Sequence, residues 1–191
     1  DMISCTEFIP AYSELFKYID KKSGRQAVYD YWKALFDPEI APLNSYLEKY
    51  GLAGCYHYWS HTLNEEAADF TFTLDEDAGY FKSEMRHCPS KGRLLELKHV
   101  EPFDEYCRHC DYYRLSAEKH GFVYEYDFSR CDNAQCGMII YDPKKYDPEK
   151  EKVPNAKRLV MDRKASDNKY LHKDFHGALS FGIQFLDDQY G

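Results

Sequence analysis

The sequence lacks any apolar run close to the roughly 20 residues that a membrane-spanning helix requires, because charged or polar residues interrupt every hydrophobic stretch. It also lacks the basic and then apolar beginning of a signal peptide, and opens with Asp1 followed by charged and aromatic residues. We therefore expect a cytoplasmic protein that has no membrane partner.

Positive charge is also scarce, since 25 Lys and Arg residues face 33 Asp and Glu residues, for a net charge of −8. Proteins that bind the phosphate backbone of nucleic acids replace its condensed cations with their own basic groups. The acidic balance therefore argues against nucleic acid as a partner. The length of 191 residues and the 43% hydrophobic content indicate a folded protein with one core.

Tryptophan is rare, with two residues, whereas tyrosine occurs 18 times. A buried tyrosine brings a hydroxyl group that needs a hydrogen-bond partner. We therefore expect a core that contains many polar contacts.

Residues 1–67 have the apolar spacing of helices, with a hydrophobic residue at every third or fourth position. One stripe runs from Phe8 to Ile19, a second from Val28 to Phe36 and a third from Leu43 to Tyr50. A glycine follows the first and the third stripe, as is common at the end of a helix. This part of the chain is predicted to be a helical bundle.

Residues 68–142 change to the two-residue alternation of β-strands. A hairpin is predicted over residues 70–85, a helix over residues 103–120 and a second hairpin over residues 122–140. The fold class is therefore α+β, in which the helical bundle packs on a four-stranded antiparallel sheet of ββαββ order and shares one core with it.

The last part of the chain is predicted to consist of a charged connector, residues 143–169, and a terminal helix, residues 170–191. Phe175 to Gly191 can be aligned without gaps on Phe8 to Gly24, with identical Phe, Ala, Ser, Asp and Gly residues. One interpretation is the start of a repeated helical module that is cut short here, or whose helix docks in place of the first helix or swaps with it, which would join two copies as a homodimer through the terminal helix. The other is that amphipathic helices ending in glycine resemble each other.

Five of the seven cysteines lie between Cys88 and Cys136. An odd number of cysteines, together with the lack of a recognisable signal peptide, favours reduced thiols that act as metal ligands or as a nucleophile. Cys88 precedes Pro89, which is predicted to open a helix, so backbone amides and the helix dipole favour a thiolate there. Cys88 is thus a candidate nucleophile or ligand, and a helix cap or packing role is the alternative.

The other four clustered cysteines form two close pairs. Cys107 and Cys110 are three apart on a predicted helix and share a face, and Cys131 and Cys136 flank a predicted hairpin turn. We expect Cys88, Cys107, Cys110 and Cys136 to converge on Zn²⁺, with Cys131 as a substitute for one outer member. Two buried pairs without a metal are the alternative.

Two further groups carry candidate proton-transfer or metal-binding residues. His109, inside the Cys-x-x-Cys motif, and Asp111, next to it, are the candidate acid or base. His172, Asp174 and His176 have the spacing of a metal site if they share one helix face, whereas a helix cap and surface histidines are the alternative.

Residues 25–142 resemble the L-2-amino-thiazoline-4-carboxylic acid hydrolase-like family. The resemblance rests on a helical first half, a cysteine after a strand, a cysteine-bearing helix that ends in glycine, and a closing strand that reads Cys-Gly-Met-Ile-Ile. It implies a bacterial small-molecule hydrolase fold, and its named member opens a cyclic C=N bond. The pair Cys131 and Cys136 is also similar to the cysteine-rich end of vinyl-reductase-type small-molecule-binding domains.

Two functions follow as hypotheses. The first is a cysteine- or metal-dependent hydrolase that acts on a small sulfur- or nitrogen-containing molecule. The second is a zinc-stabilised module that binds or senses a small molecule without turnover.

Overall fold

A computed structural model describes residues 8–62, 69–150, 157–159 and 172–191, and for residues 61–62, 157–159 and 172–176 it describes the backbone alone. Within these segments the chain folds into helices and an antiparallel sheet. The structure therefore confirms the α+β class, with a helix-rich first part and a helix at the end.

The first part of the described chain contains four helices, namely α1 (Phe8–Ser23), α2 (Arg25–Leu35), α3 (Pro42–Tyr50) and α4 (Ala53–Thr62). The predicted apolar stripes face inward, because Phe16, Trp32 and Leu43 are fully buried. Gly24 and Gly51 have φ angles of 84° and 57°, a backbone conformation that glycine adopts without steric cost. They allow the chain to leave one helix and enter the next within a few residues.

In the described parts of the chain the sheet contains five strands, namely β1 (Asp69–Asp75), β2 (Tyr80–His87), β3 (Val123–Asp127), β4 (Cys136–Tyr141) and β5 (Lys157–Leu159). Their order is β3-β4-β2-β1-β5 and all pairs are antiparallel. The first four strands are the predicted ones. The fifth strand pairs with the edge of β1 over three residues within the predicted charged connector, residues 143–169, and is too short to produce a visible alternation.

The strand register brings alternate residues of β2, β3 and β4 onto one face. Ser83 of β2 pairs with Met138 of β4, which pairs with Tyr126 of β3. The neighbouring pair on the same face is Met85 with Cys136. This face of the sheet is turned toward the helices and carries sulfur and hydroxyl groups among its apolar side chains.

Three helical segments connect the two hairpins: α5 (Pro89–Glu96), a 3-10 helix (Tyr106–Tyr113) and α6 (Arg114–Lys119). The prediction of one α-helix over residues 103–120 is therefore wrong for its first half. The ring nitrogen Nδ1 of His109 donates to the carbonyl oxygen of Tyr106. In an α-helix the backbone N–H of Cys110 would donate to this same oxygen. Such side-chain competition disfavours the α-helical pattern.

The terminal helix α7 (His172–Tyr190) packs on α1 and α2 of the same chain. The Tyr31 hydroxyl donates to the carbonyl of Ala178 at 2.8 Å. Gly182 lets the helices approach closely, since a Cβ atom there would lie 2.7 Å from Leu15 Cδ2. The internal repeat and the homodimer through this helix stay predictions. None of the described helices is long and apolar enough to cross a membrane.

The interior is rich in aromatic rings, and several of its tyrosines make the expected polar contacts. The Tyr124 hydroxyl donates to the carbonyl of Cys110 at 2.8 Å, and those of Tyr58 and Tyr113 lie 3.2 Å apart. One buried cluster surrounds Phe16 and Trp32 in the bundle, and another joins α3 and α4 to the sheet. The space between these packed regions contains the site described next.

Candidate functional site

A cavity of about 320 Å³ lies between the helices and the inward face of the sheet. We call it the main cavity. Its walls come from the four first helices, from β2, β3 and β4, and from the segments that carry Cys88, His109 and Cys110. Aromatic and aliphatic side chains form most of the surface, among them Trp59 and Met138. A concave, largely apolar space with a few polar groups is the usual form of a small-molecule site.

A second, much smaller cavity of about 20 Å³ adjoins the main cavity, and we call it the thiol cavity. All five clustered cysteines line it: Cys88, Cys107, Cys110, Cys131 and Cys136. Its volume suits a single water-sized occupant. All cysteines in the described segments are free thiols. The structure thus brings together sulfur atoms from four separate elements.

The two cavities share part of their walls. Cys88, Cys110 and Cys136 line both, as do His109 and Tyr126. Cys107 and Cys131 line only the thiol cavity. A molecule in the main cavity would therefore meet three of the five thiols.

Cys88 caps the beginning of α5, where its sulfur accepts a hydrogen bond from the backbone N–H of Lys91 at 3.5 Å. Pro89 opens this helix as predicted. Burial nevertheless raises the pKa of Cys88, and this effect exceeds the opposite effect of the backbone amides. The expected thiolate is therefore corrected: Cys88 is a thiol at neutral pH when no metal is bound.

Cys107 and Cys131 line the same small cavity. The Cys107 thiol is the largest influence that lowers the pKa of Cys131, and the nearby Lys91 ammonium lowers it further. Lys91 is only 7% exposed and lines the thiol cavity. Cys131 is thus the clustered cysteine whose surroundings favour a thiolate.

His109 and Cys110 form a thiol and imidazole pair in the wall of the main cavity. The distance from Cys110 Sγ to His109 Nε2 is 3.6 Å. Because a carbonyl oxygen only accepts, Nδ1 of His109 carries the proton that binds Tyr106, and Nε2 is left to accept from the thiol. Burial lowers the pKa of His109 to about 4 and raises that of Cys110. The pair is therefore uncharged at neutral pH.

Tyr126 lines both cavities together with Cys110 and Cys136, and its hydroxyl lowers the pKa of both thiols. Burial is the larger effect and raises the pKa of Cys136 to about 12. Ser90 Oγ and the Tyr106 hydroxyl lie 2.7 Å apart in the same wall. Sequence reasoning missed these residues. The inward alternation of β3 is the signal that could have selected Tyr126.

Asp111 is the predicted site residue that the structure does not bring to the cysteines. Its carboxylate accepts from Arg114 at 2.8 Å, and it lines neither cavity. Asp111 is a direct neighbour of Cys110 in a 3-10 helix and therefore points to another side. His172, Asp174 and His176 belong to α7, but their side chains lie outside the described residues.

The cysteines do not form a ready-made metal centre. Within the described segments no three His, Cys, Asp or Glu side chains have positions that would hold a metal ion. Binding of Zn²⁺ in the thiol cavity would require rotation of cysteine side chains. The predicted zinc site stays a prediction.

Comparison of the chain with family models, with curated proteins and with solved structures gave no match. The chemistry of the site is therefore argued from its own residues.

Proposed function

We propose that the protein is a thiol-dependent hydrolase of a small molecule that contains a cyclic C=N or amide-like bond. The observation that carries this proposal is the contact of 3.6 Å between Cys110 Sγ and His109 Nε2 in the wall of a cavity of about 320 Å³. A nucleophile, a base and a third group that orients the base are the arrangement of covalent catalysis. The Tyr106 carbonyl is the third group.

In the first step the Cys110 sulfur adds to the carbon of the C=N bond while His109 Nε2 takes the thiol proton. The electron pair of the C=N bond moves to the nitrogen, which then receives this proton from His109. The imidazolium exists only during the transfer, and its Nδ1–H remains bound to the Tyr106 carbonyl. Because the proton transfer is concerted with the attack of the sulfur, no separated thiolate and imidazolium form in the apolar cavity.

In the second step the C=N bond re-forms while the bond from the same carbon to the ring heteroatom breaks, and the proton on the nitrogen passes to the departing heteroatom through His109. In a thiazoline this heteroatom is the ring sulfur, which leaves as a thiol, and the carbon stays bound to Cys110 as a thioimidate. Water then displaces the Cys110 sulfur from the substrate carbon, with His109 again as the base, and the thiol is regenerated. The net reaction adds one water to the substrate. The resemblance of residues 25–142 to the hydrolase-like family supports this type of bond as the target.

Cys88 is the alternative nucleophile. It lines the same wall, but its sulfur accepts a hydrogen bond from the N-terminal turn of α5 and no imidazole contact with it is present among the described residues. This difference favours Cys110.

The proposal is tested with 2-phenyl-2-thiazoline, an uncharged cyclic C=N compound whose hydrolysis releases a thiol that is measured by its reaction with a disulfide dye. Cys110→Ser is expected to reduce turnover by about 1000-fold or more, as for the loss of a covalent nucleophile. Cys107→Ser is the matched control, because Cys107 lines only the thiol cavity. Equal loss in both variants, or turnover that survives in Cys110→Ser, would contradict the proposal.

We propose as a second candidate function a zinc-stabilised module that binds a small molecule. Five sulfurs around a cavity of about 20 Å³ favour it, because structural zinc sites consist of four thiolate or imidazole ligands. If the protein has this second function, elemental analysis should find about one zinc per chain in protein purified without metal-affinity resin. In that case chelation and Cys107→Ser would both lower the melting temperature, and no turnover would be found. Metal-free protein with unchanged stability would exclude it.

A further inference from the structure

We infer that the ligand of the main cavity is an uncharged molecule of about two rings, and that carboxylates are excluded from it. This inference rests on the proposed function only in taking the main cavity as the binding site. It departs from the resemblance, whose named substrate carries a carboxylic acid.

The first argument is the absence of charge from the wall. Among the described residues that line the main cavity there is no Asp, Glu, Lys or Arg side chain. The buried cationic side chain of Lys91 lines the thiol cavity and not the main cavity. A carboxylate that entered would lose its hydration and gain no counter-charge, which is a large cost in an apolar environment.

The second argument is that some hydrogen-bond donors of the wall already have partners. One of the Ser90 and Tyr106 hydroxyls donates to the other, and the Tyr124 hydroxyl donates to a backbone carbonyl. These donors would have to give up their present partners to replace the water around an anion.

The beginning of α5 does not supply the missing donors. Helix N-terminal amides commonly bind anions, but here they face the sulfur of Cys88, with the N–H of Lys91 at 3.5 Å. A ligand carboxylate would have to displace this contact. The sulfur of Cys88 therefore already occupies a place in the wall where an anion would otherwise be stabilised.

The third argument is size. A cavity of roughly 150 Å³ lined by apolar groups holds benzene, and the main cavity of about 320 Å³ has about twice that volume. Met85 and Met138 supply flexible walls, and Trp59 lies against one side. A bicyclic or two-ring molecule matches this space.

The test measures the affinity of three molecules of the same shape: naphthalene-2-carboxamide, naphthalene-2-carboxylate and naphthalen-2-ylmethylammonium. Titration calorimetry at pH 7.5 is expected to give the amide an affinity about 100-fold higher than that of the carboxylate. An equal or tighter affinity of the carboxylate would overturn the inference. So would equal or tighter binding of the ammonium ion, which aromatic rings can attract, or no binding of any of the three.

Two variants establish that binding occurs in the main cavity. Ser83 faces this cavity from β2 and is buried, so Ser83→Leu fills part of the space and is expected to weaken amide binding by at least tenfold. Glu84→Leu is the control, because Glu84 is exposed on the other face of the same strand. If Ser83→Leu fails to fold, Met85→Phe serves the same purpose. Equal affinity in cavity and control variants would place the ligand elsewhere and overturn the inference.

Failure of this inference is distinguishable from failure of the proposed function. Tight binding of the amide without Cys110-dependent turnover would support the inference and contradict the proposed hydrolase function. Cys110-dependent hydrolysis of a thiazoline carboxylate would support the hydrolase and overturn the inference.

Discussion

The main cavity and the thiol cavity share a wall but differ in chemistry. The main cavity is large and lined by aromatic and aliphatic groups, without a charged side chain among the described lining residues. The thiol cavity holds about one water-sized occupant, with five cysteines and the buried Lys91 around it. Cys110 faces both. The comparison shows that the larger space and the thiols meet at one wall, and that among the described lining residues the side chain of Lys91 lies on the smaller side.

The largest expected effect comes from a charge placed in the main cavity. Ser83→Asp buries a carboxylate without a counter-charge and is expected to lower the free energy of unfolding at pH 7 by about 4 kcal/mol relative to Ser83→Asn. The asparagine variant has the same shape and no charge. Because burial raises the carboxyl pKa above its unfolded value, the difference should vanish as the pH falls below about 4. Urea unfolding of both variants at several pH values measures this difference in stability. Equal stability of the two variants at pH 7 would mean that the cavity tolerates charge.

The next effect concerns the imidazole in the shared wall. Burial lowers the pKa of His109 to about 4, whereas the unfolded value is about 6.5. As the pH falls from about 6.5 to about 4, the unfolded chain binds a proton that the folded chain does not, so about 3 kcal/mol of stability should be lost. This loss should be absent in His109→Phe. The difference between the wild-type and variant stability profiles should therefore equal the loss. Parallel profiles would show that His109 is solvated.

A smaller effect separates the thiols of the two cavities. Cys131 is expected to react with iodoacetamide at pH 7.5 at least tenfold faster than Cys88 or Cys110, because its pKa is lowered and theirs are raised. Lys91→Met should slow the reaction of Cys131 by a few fold. Mass spectrometry of tryptic peptides gives the rates. Uniform rates for all cysteines would remove the distinction.

The smallest effect tests a hydrogen bond in the wall itself. Ser90→Ala removes the contact of 2.7 Å with the Tyr106 hydroxyl and is expected to cost about 1 kcal/mol of unfolding free energy. Ser45→Ala is the control, since the Ser45 hydroxyl is exposed and binds only the carbonyl of Pro42; its change should stay within about 0.5 kcal/mol. Equal losses in the two variants would mean that the wall contact adds nothing.

Local periodicity predicted the elements that carry the site. The alternation in β2 and β4 placed Ser83, Met85 and Cys136 on the inward face, and Pro89 marked the beginning of α5. The three-residue spacing of Cys107 and Cys110 also puts them on one face in the 3-10 helix, because that helix has about three residues per turn.

The cavities themselves could not be predicted from the sequence. Their volumes depend on how the bundle lies against the sheet, which involves contacts between distant segments and no local signal. Asp111 is a different case, because its partner Arg114 lies only three residues further along the chain and takes its carboxylate away from the cysteines. The thiolate expected at Cys88 was wrong because the sequence shows the helix amides but not the burial that opposes them.

A crystal structure of the wild-type protein with naphthalene-2-carboxamide tests the central claim most directly. We expect the rings to lie in the main cavity in contact with Trp59 and Met138, with the amide group within about 4 Å of Cys110 Sγ. A molecule found on the surface only, or in the cavity with its amide directed away from the Cys110 and His109 pair, would contradict the claim.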